Sequence, residues 1–310
     1  MKRLFSHSLK ALLCLSIILC TVKALANSEH QFSLNLSQGQ VDYLEGDASY
    51  TRLNASVYFS PLKKSDALPY SRTAFYSRTG SVSISASKTK WDDMQAVIGA
   101  KLLETGEAKN YSISTFLAHS DIPVWARVEY LYIDHSTWYF SDESKFESET
   151  DSVKAIALGA YLLDDLSMHG LFAKQDDKTY GMGLSKLFKL SSYGFIETRL
   201  AWSITKRKNE DEYVDIINNT VRNLNISAQP EKNRSIQLSY FPLPETRLSF
   251  SYQQIDYDKY DWNDRYYTYS LEHYLSDQIN LTLSYTHKKT YFLDHFGEYN
   301  DYGLNLGFDF

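Results

Sequence analysis

Residues 299–310 read YNDYGLNLGFDF. From Tyr302 onward they alternate strictly. Tyr302, Leu304, Leu306, Phe308 and Phe310 fall on one parity; Gly303, Asn305, Gly307 and Asp309 fall on the other. A period of two is that of a β-strand, whose successive side chains point to opposite faces. One face here is apolar and aromatic to the last residue. The other is built from tiny or amide side chains and one carboxylate. A soluble strand could share the pattern, so the deciding question is how often the chain repeats it.

The repeat runs through the whole chain. Phe32, Leu34 and Leu36 alternate with Ser33, Asn35 and Ser37. Leu53, Ala55, Val57 and Phe59 alternate with Arg52, Asn54, Ser56 and Tyr58. Val82, Ile84 and Ala86 alternate with serines, and Ala126, Val128, Tyr130 and Tyr132 with Arg127 and Glu129. Further strands are predicted at 95–104, 111–119, 153–163, 168–175, 179–188, 195–205, 235–241, 247–256, 266–275 and 279–287. Each is about 10 residues, the length that crosses a bilayer at a tilt. Short connections at 164–166, 189–192, 242–244 and 276–278 alternate with long ones at 141–151, 206–233, 256–265 and 288–299. That sorting of loop lengths is the pattern of a membrane barrel, not of a soluble sandwich.

The N-terminus has the form of a secretory signal. Lys2, Arg3 and Lys10 form a basic region, 11–22 is a short apolar run, and Ala24-Leu25-Ala26 is a cleavage sequence. The expected division is a signal peptide at 1–26 and one β-barrel domain at 27–310. Both cysteines, Cys14 and Cys20, lie within that signal, which leaves the rest without a disulfide framework or thiolate site. Four of the 32 basic residues and none of the 38 acids lie in 1–26, leaving 28 against 38, or −10. An acidic exported chain is a poor candidate for nucleic acid. Past the signal no apolar run reaches the roughly 18 residues of a spanning helix. A membrane-crossing chain of this kind must close its strands, because an open sheet leaves unpaired backbone groups in lipid.

The fold class is therefore an all-β transmembrane antiparallel barrel of about 14 strands, with 12 to 16 allowed. The count must be even if both ends lie on one side. Evenness makes 206–233 a single loop, so the weak strand-like run 220–228 does not span. It also requires that one run between 111 and 134, where Pro123 interrupts, be short or bent. The segment 61–80 is a long connection on the side where short turns belong.

The terminal alternation resembles the closing strand of Gram-negative outer-membrane β-barrels, which end on an aromatic residue, usually Phe. The resemblance implies that Phe308 and Phe310 act as an assembly signal read by the barrel-assembly machinery. A second resemblance lies in SVYFSPL at 56–62 and ALPYSRTAFYSRTGSVSIS at 67–85, which is similar to the N-terminal part of the general porin family. Leu68-Pro69 departs from the Pro-Leu order of that pattern.

Charged residues fall on the polar parity of several strands: Arg52, Arg127, Glu129, Glu197, Arg199, Arg247 and Glu272. A charge facing lipid costs about 2–4 kcal/mol at the midplane, so these are lumen-lining candidates. Pairing of Arg127 with Glu129 and of Glu197 with Arg199 is expected to stiffen the wall; an ion-filtering constriction is the alternative. Acids crowd two outer loops: Asp142, Glu143 and Glu147 in one, Asp256, Asp258, Asp261 and Asp264 in the other. A solvated acidic mouth is a better reading of these than Ca²⁺ binding, and no metal or cofactor is expected. The Asn-x-Ser/Thr sequences at Asn35, Asn54 and Asn280 read as small polar pairs on one strand face rather than glycan sites. His119-Ser120 and His135-Ser136 are adjacent residues that point apart on a strand, so neither pair is a nucleophile with its base. The other histidines are expected in loops or at the rim.

The function expected is a porin-like channel for passive diffusion of small hydrophilic solutes, with weak cation preference set at the mouth. Its partners would be outer-membrane lipid and small solutes or ions. An outer-membrane hydrolase and a closed structural or adhesion barrel are the rival readings.

Overall fold

The computed structural model describes residues 29–43, 46–64, 67–95, 103–140, 145–175, 177–190, 194–206, 213–215, 220–222, 231–257, 262–292 and 295–310. The expected signal peptide and both cysteines lie outside them. In chain order the strands are β1 (Glu29–Tyr43), β2 (Gly46–Lys63), β3 (Ser81–Gln95), β4 (Leu103–His119), β5 (Ile122–Phe140) and β6 (Lys145–Leu163). They continue with β7 (Leu166–Lys174), β8 (Lys178–Lys189), β9 (Phe195–Lys206), β10 (Tyr213–Asp215) and β11 (Thr220–Arg222). The last are β12 (Glu231–Leu243), β13 (Thr246–Tyr257), β14 (Trp262–Ser276), β15 (Ile279–Phe292) and β16 (His295–Asp309). One short helix, α1 (Thr73–Tyr76), follows a 3₁₀ turn at Tyr70–Arg72. No helix among the described residues is long and apolar enough to cross a membrane.

Fourteen strands close into one antiparallel barrel, and β10 and β11 form a separate ribbon. The ribbon places Thr220–Arg222 outside the barrel wall, as evenness required. Closure is made by β16 against β1, in register from Ser33 opposite Asp309 to Asp42 opposite Asn300. The terminal residue completes the seam: the Phe310 carbonyl accepts from the Gln31 and Phe32 amides, and the Phe310 amide donates to Phe32.

Of the strand predicted at 95–104, Gln95 ends β3, Leu103, its register partner, begins β4, and 96–102 lie outside the described residues, so the run is not a separate strand of the described wall. The run 111–119 is only the inner half of β4. Gly106 lies in β4 opposite Trp91, whose indole leaves no space for a Cβ there. Deleting that one false strand removes the parity conflict, and β5 is neither short nor bent. Pro123 is its second residue, near a strand start, where a missing N–H does little harm.

The long outer loops also contract, because the ladder continues into them. β5 and β6 have 19 residues each, against the roughly 9–11 that span a bilayer. Between β13 and β14 only 258–261 separate the strands, and between β15 and β16 only 293–294. Turns at the end that carries both termini are tight, as at Asp164-Asp165, Pro244-Glu245 and Asp277-Gln278.

The outer face is apolar. Ile84 is 57% exposed, Leu158 60% and Met182 61%, and Leu53, Val57, Leu238, Leu283 and Leu304 are also exposed. Tyr111, Tyr180, Trp202, Tyr240, Tyr269 and Tyr302 add exposed aromatic rings to that face. So much exposed apolar surface is untenable in water, whereas it matches a lipid-facing band with aromatic girdles.

Candidate functional site

Within the connection 61–80, which the sequence marks as too long for its end of the barrel, residues 67–80 fold inside the wall at that inner end. Phe75 is its anchor. Its ring lies 5.3 Å from Tyr161, 6.0 Å from Trp125 and 6.0 Å from Phe116, centroid to centroid. The Tyr161 hydroxyl donates to the Phe75 carbonyl at 2.8 Å. Next to it Tyr76 is buried with Leu187, Phe195 and Phe241, which come from the adjoining arc of the wall, β8, β9 and β12. Phe75 touches both clusters, so α1 packs inside the wall along the arc from β4 to β12. Lys64 and Tyr70 tie the segment's start to β14 and β16. Lys64 Nζ is 2.5 Å from the Asp309 carboxylate and 4.0 Å from the Tyr274 ring centroid. The Tyr70 amide donates to the Pro244 carbonyl. At the other end Arg78 reaches Asp164 at 2.9 Å and the Ser120 carbonyl at 3.0 Å.

The charged centre of this contact is Glu197, which is fully buried. Its carboxylate accepts from Arg72 Nε at 2.8 Å, from Arg199 Nη2 at 3.0 Å and from the Tyr76 hydroxyl at 3.0 Å. Ser185 adds a longer bond at 3.3 Å. Burial, and then the neighbouring Glu197 charge, push the Tyr76 phenol well up, so it remains a neutral donor. One carboxylate faces two guanidinium groups, so the cluster keeps one positive charge.

Above the segment lies a cavity of about 650 Å³. Arg72, Arg127, Arg199, Glu129 and His169 line it, together with Phe75, Phe116 and Trp125. Serines 83, 114, 167, 185 and 235 and Gln237 supply neutral polar groups. Trp125 is held in place by donating to Ser167 at 3.1 Å and by lying over Gly159, its register partner, where no Cβ fits.

The residues singled out in the sequence divide into three groups. Arg127, Glu129, Glu197 and Arg199 come together around this cavity: Arg127 pairs with Glu129 at 3.2 Å, and Glu197 with Arg199. Arg247 and Glu272 sit further round the wall, 3.1 Å apart and register partners, and border the segment rather than the open cavity. Arg52 stands apart on β2, opposite Ser37 and Ser87. Of the acidic mouth residues, Asp142, Glu143, Asp258 and Asp261 lie outside the described residues. Glu147 is in β6 opposite Thr137. Asp256 lies 3.4 Å from Arg234. Asp264 is buried, and it holds Lys288 at 2.8 Å and accepts from Thr290.

One expectation needs correction. His169 is not a loop or rim residue: it is an inward residue of β7, 5.4 Å from the Trp125 ring. His30 is buried at the rim, as the second residue of β1. Ser120 donates to Asp121 rather than to His119, in keeping with the expectation that these two do not pair. Missing from the sequence reading were Arg72, Phe75, Tyr76, Trp125 and Lys64. The only signal for them was the surplus length of 61–80 and its arginines and aromatics.

No family model and no curated protein matches the chain. Solved structures do. The outer-membrane protein Omp33 of Acinetobacter baumannii superposes with a TM-score of 0.56 at 15% identity, over 91% of this chain and 99% of that one. The CymD monoaromatic hydrocarbon channel gives 0.57 at 7% identity, over 91% and 89%. A TodX monoaromatic hydrocarbon channel mutant gives 0.52 at 8% identity, over 92% and 91%. At such identities the likeness is one of fold. With the closed ladder and the apolar outer face, it makes this chain a 14-stranded transmembrane β-barrel of the Gram-negative outer-membrane kind.

Proposed function

We propose that the protein is a passive outer-membrane channel for small hydrophilic solutes whose passage is narrowed at the inner end by residues 64–80. The supporting observation is the cavity of about 650 Å³ inside the wall, lined by serines, glutamine and paired charges together with aromatic and aliphatic side chains, and bounded below by Arg72 and Phe75. A structural barrel would fill this space with side chains. A hydrolase would need a nucleophile bonded to its base. The channel likeness of the solved structures supports the same reading. Single-channel recording in planar bilayers tests it: small steps in KCl are expected, and no conductance at any voltage would overturn it.

Selectivity is a finer part of this proposal. Weak cation preference from an acidic mouth draws, among the described residues, on Asp256 and Asp264, which are already engaged by Arg234 and Lys288. The inner cluster instead carries two arginines for one glutamate. A charge within a narrow, partly desolvated passage acts more strongly than one at a wide, screened mouth. The constriction is therefore placed as the selectivity element, with anions favoured.

A further inference from the structure

The lining of the cavity joins two chemistries. Phe75, Phe116 and Trp125 present aromatic rings in mutual contact, Phe116 and Trp125 with centroids 5.6 Å apart. Beside them Arg127, the register partner of Phe116, presents a guanidinium group, and further round the wall Arg199 on β9 presents a second; their side chains are 53% and 35% exposed. Arg199 shares Glu197 with Arg72, and its Nε finds no hydrogen-bond partner among the described residues. Arg127 has a carboxylate partner, Glu129. His169 lies between, its ring against Trp125. A guanidinium at the cavity wall makes charge-assisted hydrogen bonds to an incoming carboxylate, which are stronger than neutral ones.

From this juxtaposition we infer that the cavity binds small organic anions that join a carboxylate to a planar apolar ring. The carboxylate sits at Arg199, with Arg127 as the second cation on its path, and the ring lies against Trp125 and Phe116. Charge alone would admit chloride equally well, and apolar surface alone would admit neutral rings. The combination favours the molecule that carries both. Pockets of this size hold molecules of ring-plus-carboxylate dimensions with room to pass. The inference deepens the channel reading and rests on it, but binding is measurable without conduction.

The probes are benzoate, acetate and benzylamine, applied to the full-length barrel in detergent and in bilayers. Benzoate is expected to quench tryptophan fluorescence saturably and to interrupt the KCl current. Acetate lacks the ring and benzylamine reverses the charge, so each should bind at least about tenfold more weakly. Trp125→Leu should abolish the fluorescence change and weaken benzoate block. Arg127→Gln should weaken benzoate block while leaving the Glu197 cluster intact. Arg199→Lys keeps the charge but loses the planar fork, and should weaken it too. Heat-modifiable gel mobility shows that each variant is folded. Equal affinity for all three probes, or preference for benzylamine, overturns the inference while leaving a conducting channel in place. Saturable benzoate binding by a barrel that never conducts would instead remove the channel reading alone.

Discussion

Arg72 and Glu197, 125 residues apart in the chain, meet at 2.8 Å inside the barrel, and this contact joins the inward-folded segment to the wall. The carboxylate is fully buried, so it depends on its arginines for solvation.

Glu197→Gln removes the charge and leaves Arg72 and Arg199 facing each other. Breaking one partner of a buried pair costs about 3–5 kcal/mol. The segment should undock, and single-channel conductance should rise. Unchanged conductance with an unchanged gel shift would mean that the segment is held by its aromatic residues alone.

Phe75→Ala tests those residues. It removes ring contacts with Phe116, Trp125 and Tyr161 together. An aromatic-to-alanine change in such a site costs about 3–5 kcal/mol. The strand ladder is untouched, so the barrel should still fold and the inner end should open. Faster proteolysis within 64–80, at constant β-sheet circular dichroism, is the expected readout.

Lys64 should stay seated beside Asp309 in alkaline solution, although the ion pair itself is lost. Burial holds the Lys64 ammonium below the usual lysine range, and Asp309 only partly opposes this. The amine therefore loses its charge at a lower pH than an exposed lysine would. The folded chain releases this proton before the unfolded chain does, so stability itself rises with pH across that window as the ion pair is lost. The docked segment should therefore hold more firmly on the alkaline side, conductance should fall there rather than rise, and Lys64→Met should remove that pH dependence. A persisting dependence in Lys64→Met would assign it to another group.

Reversal potentials in a KCl gradient test where selectivity lies. Chloride preference is expected at low salt, and Arg199→Gln should reduce it. A potassium preference would return the selectivity element to the acidic mouth.

Deleting Phe310 should lower the amount of barrel in the outer membrane. The residue supplies three backbone bonds to β1 and stacks beside Phe308 and Phe32. Wild-type levels after deletion would show that neither the seam nor an assembly signal depends on it.

The wall was legible in the sequence because strand alternation is local. Leu53, Val57, Leu283 and Leu304 declare the lipid face, and Arg127, Glu129, Glu197 and Arg199 declare the opposite one, from period two alone. Evenness then excluded 220–228 from the wall, although it did not identify 95–104 as the false strand. Its ends, Gln95 and Leu103, belong to two neighbouring strands, β3 and β4. The contents of the barrel were not legible. Segment 64–80 has no periodicity of its own, and its partners Glu197, Tyr161, Trp125 and Asp309 lie on strands distant in sequence. Only closing the ring brings them to one end, so the pairing of Arg72 with Glu197 and the seating of Phe75 are decided by tertiary structure. Local pattern fixes which face each side chain takes; which faces then meet across the lumen depends on closure and register.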